Sequence, residues 1–225
     1  MEDSYEEQMK VLNDKASCII EDKSCHEVLK PLSNFTEQAY DCLVSSYIRE
    51  LHSTISLLWT DETAHSSYLP RPLGAAKSYG QCVPTTHILF DLLLRKFPKH
   101  RFSIASGIVL VSSNLDSAMF KIAIDAHTWL YWQPTETTSL KDIVIIDPTA
   151  DQIPYADLFP CEIQTNEELR RRGVIYQSPR IFNSLEAFEN QFAIREPEVR
   201  SRIRLLRERF DSVSFYKFSN QVKTS

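Results

Sequence analysis

The run from Cys82 to Phe97 constrains this chain most, because it is apolar on nearly all sides. Val83, Ile88, Leu89, Phe90, Leu92, Leu93 and Leu94 leave little room for a solvated face, a pattern that predicts a buried central helix. Pro84 places its start, since proline suits a first helical turn and breaks a helix interior. Amphipathic segments stand on either side in sequence. Asn34 and Glu37 have the spacing of a capping box. After them Phe35, Ala39, Cys42, Leu43, Tyr47, Leu51, Ile55 and Leu58 recur at three- and four-residue steps, which predicts an amphipathic helix over 35–58. Pro197 opens a last helix with Val199, Ile203, Leu206 and Phe210 on one face. Arg200, Arg202, Arg204, Arg207 and Arg209, with Glu198 and Glu208 among them, are expected to form its solvated face.

Phe102–Ser112, Phe120–Trp132 and Ile143–Ile146 are rich in β-branched and aromatic residues and are separated by turn formers such as Ser112-Ser113-Asn114. They read as strands, and their short connections predict an antiparallel sheet. Asp151–Leu158 and Asn166–Arg172 read as short helices. The stretch 61–80, DETAHSSYLPRPLGAAKSYG, has no sustained period and is expected to be a long surface loop leading into Cys82. The expected layout is α+β: an N-terminal helical extension over 1–34, a central domain over 35–180, and a C-terminal helical segment over 181–225 packed on that domain.

Composition narrows the partners. A chain of 225 residues can bury a real core, and its net charge of −5 argues against nucleic acid as the main partner. No apolar stretch approaches the length that crosses a bilayer. The start, Met1-Glu2-Asp3-Ser4, is acidic where a secretory signal is basic, so a cytoplasmic protein without a membrane partner is expected. Cys18, Cys25, Cys42, Cys82 and Cys161 are odd in number and form no CxxC pair. That fits neither a disulfide framework nor a zinc site, and most of them are expected to be inert small hydrophobes.

Three short segments carry chemistry-bearing residues in a suggestive order: Gly80-Gln81-Cys82, then His127-Thr128-Trp129, then Asp147-Pro148-Thr149. They supply a thiol at a helix start, an imidazole in a strand and a carboxylate at a strand end. A cysteine is a nucleophile only as thiolate, which a helix N-terminus and an imidazolium both favour. His127 would take the thiol proton and return it to a leaving amine. Asp147 would fix the tautomer and orientation of the ring. The Cys82 backbone N–H, free in a first helical turn, would donate to a developing oxyanion. Asp125 and Asp151 are alternative partners for the imidazole, because a one-residue slip in register reverses a strand's face. His87 projects about 140° away from Cys82 at 100° per residue and reads as structural. Tyr131 and Trp132 read as core residues that also stand close to a site at His127.

These segments resemble the transglutaminase-like superfamily, whose members show Gly-Gln-Cys, His-x-Trp and Asp-Pro-Thr in that order. The small bacterial YunG-like proteins are similar too, in Trp59-Thr60-Asp61-Glu62-Thr63, in Gly80-Gln81-Cys82 with Thr86 following, in His127-x-Trp129, and in Asp147-x-Thr149-x-x-Gln152. The likeness covers roughly residues 50–160. It implies a papain/transglutaminase-like core, a cysteine-bearing helix packed on an antiparallel sheet that carries the histidine and aspartate, here with extra N- and C-terminal helices. It also implies a Cys82–His127–Asp147 triad, with Gln81, Trp59 and Trp129 as candidates for the oxyanion site or substrate pocket. Val83-Pro84 stands where transglutaminases carry a bulky aromatic, which departs from the protein cross-linking members. No calcium loop of the DxDxDG kind is visible, and neither a metal nor a cofactor is expected.

The expected function is a cysteine-dependent amide hydrolase or acyltransferase. The Cys82 thiolate attacks the carbonyl of a peptide or protein amide, a thioester forms, and water or an amine acceptor resolves it. Hydrolysis is the simpler outcome, since water needs no second binding site. Two other readings stand beside it. One is a catalytically silent papain-like fold that serves as a protein-binding module. The other is a zinc site at Cys82 and His127, for which the neighbouring sequence offers no further cysteine or histidine.

Overall fold

The computed structural model describes residues 32–112, 120–133, 143–193 and 197–221. The extension up to residue 31, with Cys18 and Cys25, and the turn at Ser113-Asn114 lie outside these. The chain divides into two units, 1–40 and 41–225. The described part of the first, residues 32–40, is helical; apart from the start of that helix, the contacts below lie within the second.

Helix α1, Leu32–Ile55, starts two residues before the expected cap at Asn34 and ends in a 3-10 turn, Ser56–Leu58. Its buried stripe is Val44, Ile48, Leu51 and Ile55. That stripe is centred one residue from the expected one, since Leu43 and Tyr47 are only partly covered. Helix α2, Cys82–Lys96, is buried at every residue from Cys82 to Phe90, as its apolar circumference requires. It packs on β1 and β2 and against the last helix. Fully burying one such aliphatic side chain contributes about 1.5–3 kcal/mol, so α2 is the main apolar anchor of the domain.

Strands β1 (Arg101–Ser112), β2 (Phe120–Gln133), β3 (Val144–Asp147), β4 (Glu162–Thr165) and β5 (Val174–Phe182) form one sheet in the order β4-β3-β2-β1-β5. Every pairing is antiparallel. Two strands, β4 and β5, go beyond the sequence expectation. Pro179 disguises β5, because proline is confined to edges and irregularities. β5 is an edge, and its register with β1 shifts between the pairs Ser106–Arg180 and Ile108–Gln177, on either side of that proline.

The sheet separates two apolar layers. Ile104, Leu130, Trp132 and Ile146 join α1, α2 and the C-terminal helices in one cluster, to which Cys82 also belongs. Ala105, Val109, Trp129, Ile145 and Tyr176 join Ala150, Ile153 and Leu169 in the other. Alternation along β2 and β3 puts His127 with Trp129 and Asp147 with Ile145, on the second face.

Helix α3, Asn166–Arg171, is fixed by a capping box in which Thr165 and Glu168 bond each other's backbone N–H. The expected helix over Asp151–Leu158 is a single 3-10 turn, Ala150–Gln152; Pro154 and the positive φ of Tyr155 (64°) stop it from continuing. Helix α4, Leu185–Ala193, and helix α5, Val199–Gln221, complete the first layer. The expected face of α5 is buried at Val199, Ile203, Leu206 and Phe210. Arg202 is a correction to the solvated arginine face: it is buried, because it lies three residues after Val199 and four before Leu206, inside the stripe. Arg207 reaches Asp91 of α2 at 2.5 Å. The segment 61–80 is largely exposed, as a surface loop should be, but it is pinned near both ends, where Thr63, Ala64, Ser78 and Gly80 are buried. Among the described residues no helix is long and apolar enough to cross a membrane.

Candidate functional site

Cys82 and His127 start on opposite sides of the sheet, the thiol with the helical layer and the imidazole with the second. They meet because β3 is short. Its last pair with β2 is Leu130–Ile146, and beyond it the chain turns away at Asp147-Pro148. The β2 carbonyl of Thr128, two residues past that pair, accepts instead from Thr86 Oγ1 at 3.2 Å. The start of α2 therefore lies against β2 where β3 stops, which brings Cys82 near enough to His127 to act on its ring. A register shift in the β1–β2 pairing directly follows the pair Gly107–His127, a common way to aim a side chain at a site.

His127 and Asp147 are buried and joined by a 2.6 Å hydrogen bond from Nε2–H to Oδ2. Asp147 accepts three more: from Tyr176 OH at 2.8 Å, Thr149 N–H at 2.9 Å and Thr149 Oγ1 at 3.2 Å. An ionised carboxylate is an acceptor only, and four donors favour that state. Burial pushes the Asp147 carboxyl up, but the His127 charge, the bond to it, and the Thr149 and Tyr176 bonds outweigh burial and hold it below the usual carboxylate value. Burial likewise opposes charge on His127. The Asp147 charge and hydrogen bond, followed by interactions with Cys82, raise it to about 10. Both shifts favour the imidazolium–carboxylate form of the pair. With Nε2 committed to Asp147, the nitrogen left for the thiol is Nδ1, which is buried and has no hydrogen-bond partner among the described residues.

Trp129 lies parallel to the His127 ring, with centroids 5.9 Å apart and planes at 25°. Trp59 is buried and donates its indole N–H to Thr85 Oγ1 at 2.9 Å. Gln81 is the residue before the first turn of α2, and its amide donates to the Thr60 carbonyl at 2.7 Å. The Trp59-Thr60 segment is therefore tied to the start of α2 twice. Of the alternative carboxylates, Asp125 is exposed, and Asp151 accepts from Ser78 Oγ, so Asp147 is the one bonded to the imidazole. His87 pairs with Glu189 of α4 at 2.7 Å. Trp132 is stacked on Phe102 in the helical layer, and Tyr131 packs edge-on to Trp129.

Sequence reasoning missed Tyr176, which is carried by the strand that Pro179 concealed; no local signal marks it. Thr149 was findable, because Asp-x-Thr is the spacing of a side-chain turn onto the backbone two residues on. Glu162, opposite Asp147 in register, is buried and bonded to Arg172 at 3.0 Å, which balances a second carboxylate beside the site. His52 of α1 lies edge-on to Trp59. Burial holds it below the ordinary histidine value despite Asp151, the Pro148 carbonyl and Asp147 nearby. Among the described residues no three His, Cys, Asp or Glu side chains are grouped to hold a metal ion. No protein-family model, curated protein or solved structure matches the chain.

Proposed function

We propose that this chain is a cysteine-dependent amide hydrolase or acyltransferase on a papain/transglutaminase-like fold, acting on a peptide or protein amide. The observation that supports the reading is the buried His127–Asp147 pair, whose Nε2 is bonded to Asp147 while Nδ1, buried and without a hydrogen-bond partner among the described residues, is the nitrogen left for the thiol that opens α2. A structural histidine needs no such partner at a helix start. The Cys82 sulfur attacks the carbonyl carbon while the Cys82 backbone N–H, unbonded within the helix, faces the developing oxyanion. The C–N bond breaks as His127 passes its proton to the leaving amine, which leaves a thioester on Cys82. Water, deprotonated by His127, releases the acid and restores the thiol; an amine in its place gives transfer. Trp129 holds the plane of the imidazole, while Gln81 and Trp59 act at one remove by anchoring the segment that carries the thiol.

The test is iodoacetamide alkylation of Cys82, followed by mass spectrometry at neutral pH in the wild type and in His127→Ala. The substitution is expected to slow alkylation by about tenfold or more, with exposed Cys42 as the internal reference. A Cys82 that is inert, or indifferent to His127, rejects the activated pair and favours the protein-binding module.

A further inference from the structure

Asp147 and Thr149 already have a role in the site; Gln152, three residues after Thr149, has none. Its place is informative. Gln152 ends the 3-10 turn that follows Asp147, and its Oε1 accepts from the backbone N–H of Gly80 at 3.2 Å. One residue earlier, Asp151 accepts from Ser78 Oγ. Between these two ties Gln81 N–H closes a turn onto the Ser78 carbonyl at 2.8 Å, and the next residue is Cys82. The carboxylate turn and the thiol segment are therefore one hydrogen-bonded unit, although some seventy residues of sequence separate the bonded pairs.

The identity of the amide atom is not in question, because only an oxygen can face a backbone N–H. The opposite end of the amide, Nε2, is buried with no hydrogen-bond partner among the described residues. Burying an unpaired donor is unfavourable, and a side chain selected for packing alone would not bring one there. The bond to Gly80 is what the glutamine supplies. Gly80 itself leaves no slack: its φ is +75°, and a Cβ there would stand 3.2 Å from His65 N.

We propose that Gln152 is a positioning residue, which sets the thiol of Cys82 against the His127–Asp147 pair by holding the Gly80 backbone from the turn that Asp147 begins. The proposal rests on the triad reading above and adds the device that keeps its two halves in register. Ser78 with Asp151 is the second tie. Misplacement of a reacting atom by about 1 Å can cost up to a hundredfold in rate, so loss of one of two ties should be readable.

The experiment uses the full chain and four proteins: wild type, Gln152→Met, His127→Ala and the double variant. Cys82 alkylation by iodoacetamide is followed at pH 7 below the thermal transition, with Cys42 as reference. Gln152→Met keeps the length and removes the acceptor. It is expected to slow Cys82 by about tenfold, to leave Cys42 unchanged, and to add nothing in the His127→Ala background, since the register it sets is register to that ring. A wild-type rate in Gln152→Met overturns the proposal, and so does a loss that adds in full to that of His127→Ala. If the wild-type rate is itself indifferent to His127→Ala, it is the triad that fails. Should Gln152→Met not fold, Ser78→Ala takes its place, with a slowing of about threefold that is again absent without His127; a wild-type rate there counts against the proposal equally.

Discussion

At the scale of single residues, the site is a question of how one buried charge pair is kept. Asp147 takes four hydrogen bonds, of which only one comes from His127. The others keep the carboxylate ionised and aimed: Thr149 supplies two from the Asp-Pro-Thr segment itself, and Tyr176 supplies the third from a strand that no local signal marks. Tyr176→Phe tests this with minimal change of shape. It removes one donor to a charged acceptor, an interaction of about 1.5–3 kcal/mol, and leaves Thr149 and His127 in place. Unfolding in urea should show a loss of that order, and Cys82 alkylation should slow less than in Asp147→Asn. Equal slowing in the two variants would mean that the tyrosine does more than hold the carboxylate. Asn is the informative replacement at 147. Alanine would strand Tyr176 OH, Thr149 N–H and a buried imidazole together, and would report folding rather than chemistry.

At the scale of elements, the decisive feature is the segment that delivers the thiol. Gly80 adopts φ +75°, a left-handed conformation that glycine takes without penalty and other residues resist. Three atoms, His65 N, Tyr68 Cβ and Ala64 Cβ, would crowd a side chain at 3.2–3.4 Å. Gly80→Ala should therefore destabilise the fold by about 1–3 kcal/mol, seen as a lower urea midpoint at constant slope. A midpoint equal to wild type would show that the turn relaxes freely, and Gly80 would then carry no geometric role. Much of this architecture was legible. The apolar circumference of 83–94 announces α2, β-branched runs announce β1, β2 and β3, and the short helix expected over Asn166–Arg172 is α3. What stayed hidden depends on tertiary context. Pro179 argues against a strand until β5 is known to be an edge. The stretch 61–80 is mostly solvated, as its composition suggests; that its end is pinned shows only in its hydrogen bonds to Asp151 and Gln152, because such burial is recognisable only by where the polar groups find partners. Arg202 follows the same logic, an arginine at a position whose neighbours on the helix face are Val199 and Leu206. The order of thiol, imidazole and carboxylate was readable as three short motifs. Their meeting across a sheet was not, since it follows from the four-residue length of β3.

At the scale of the whole molecule, the charge pair makes stability depend on pH with a definite sign. The His127 value is raised from an ordinary 6.5 to about 10, after burial has worked against it. Its contribution is therefore fully present below about pH 6.5, where the unfolded histidine is also protonated, and is lost as pH rises through about 10. Asp147 is shifted downward, so its contribution is present above the ordinary 3.8 and is lost as pH falls through the depressed value. Both describe one interaction, and the energy is counted once. In Asp147→Asn the burial of His127 acts without its largest opposing influence, and the ring then favours the neutral state. That variant gains relative stability as pH rises, while the wild type loses it. The unfolding free energies of the two proteins should differ most between about pH 4 and 6.5 and converge as pH climbs toward 10. Cys161, which burial and the nearby Asp147 push up from an ordinary 9.0 to about 12, lowers the stability of both proteins above about pH 9 and so largely cancels from the difference between them. Urea titrations at pH 5.5, 7.5 and 9.5 decide the matter. A gap that stays constant or widens with pH would mean that His127 is neutral in the folded protein, and the imidazolium–carboxylate pair would have to be given up with it.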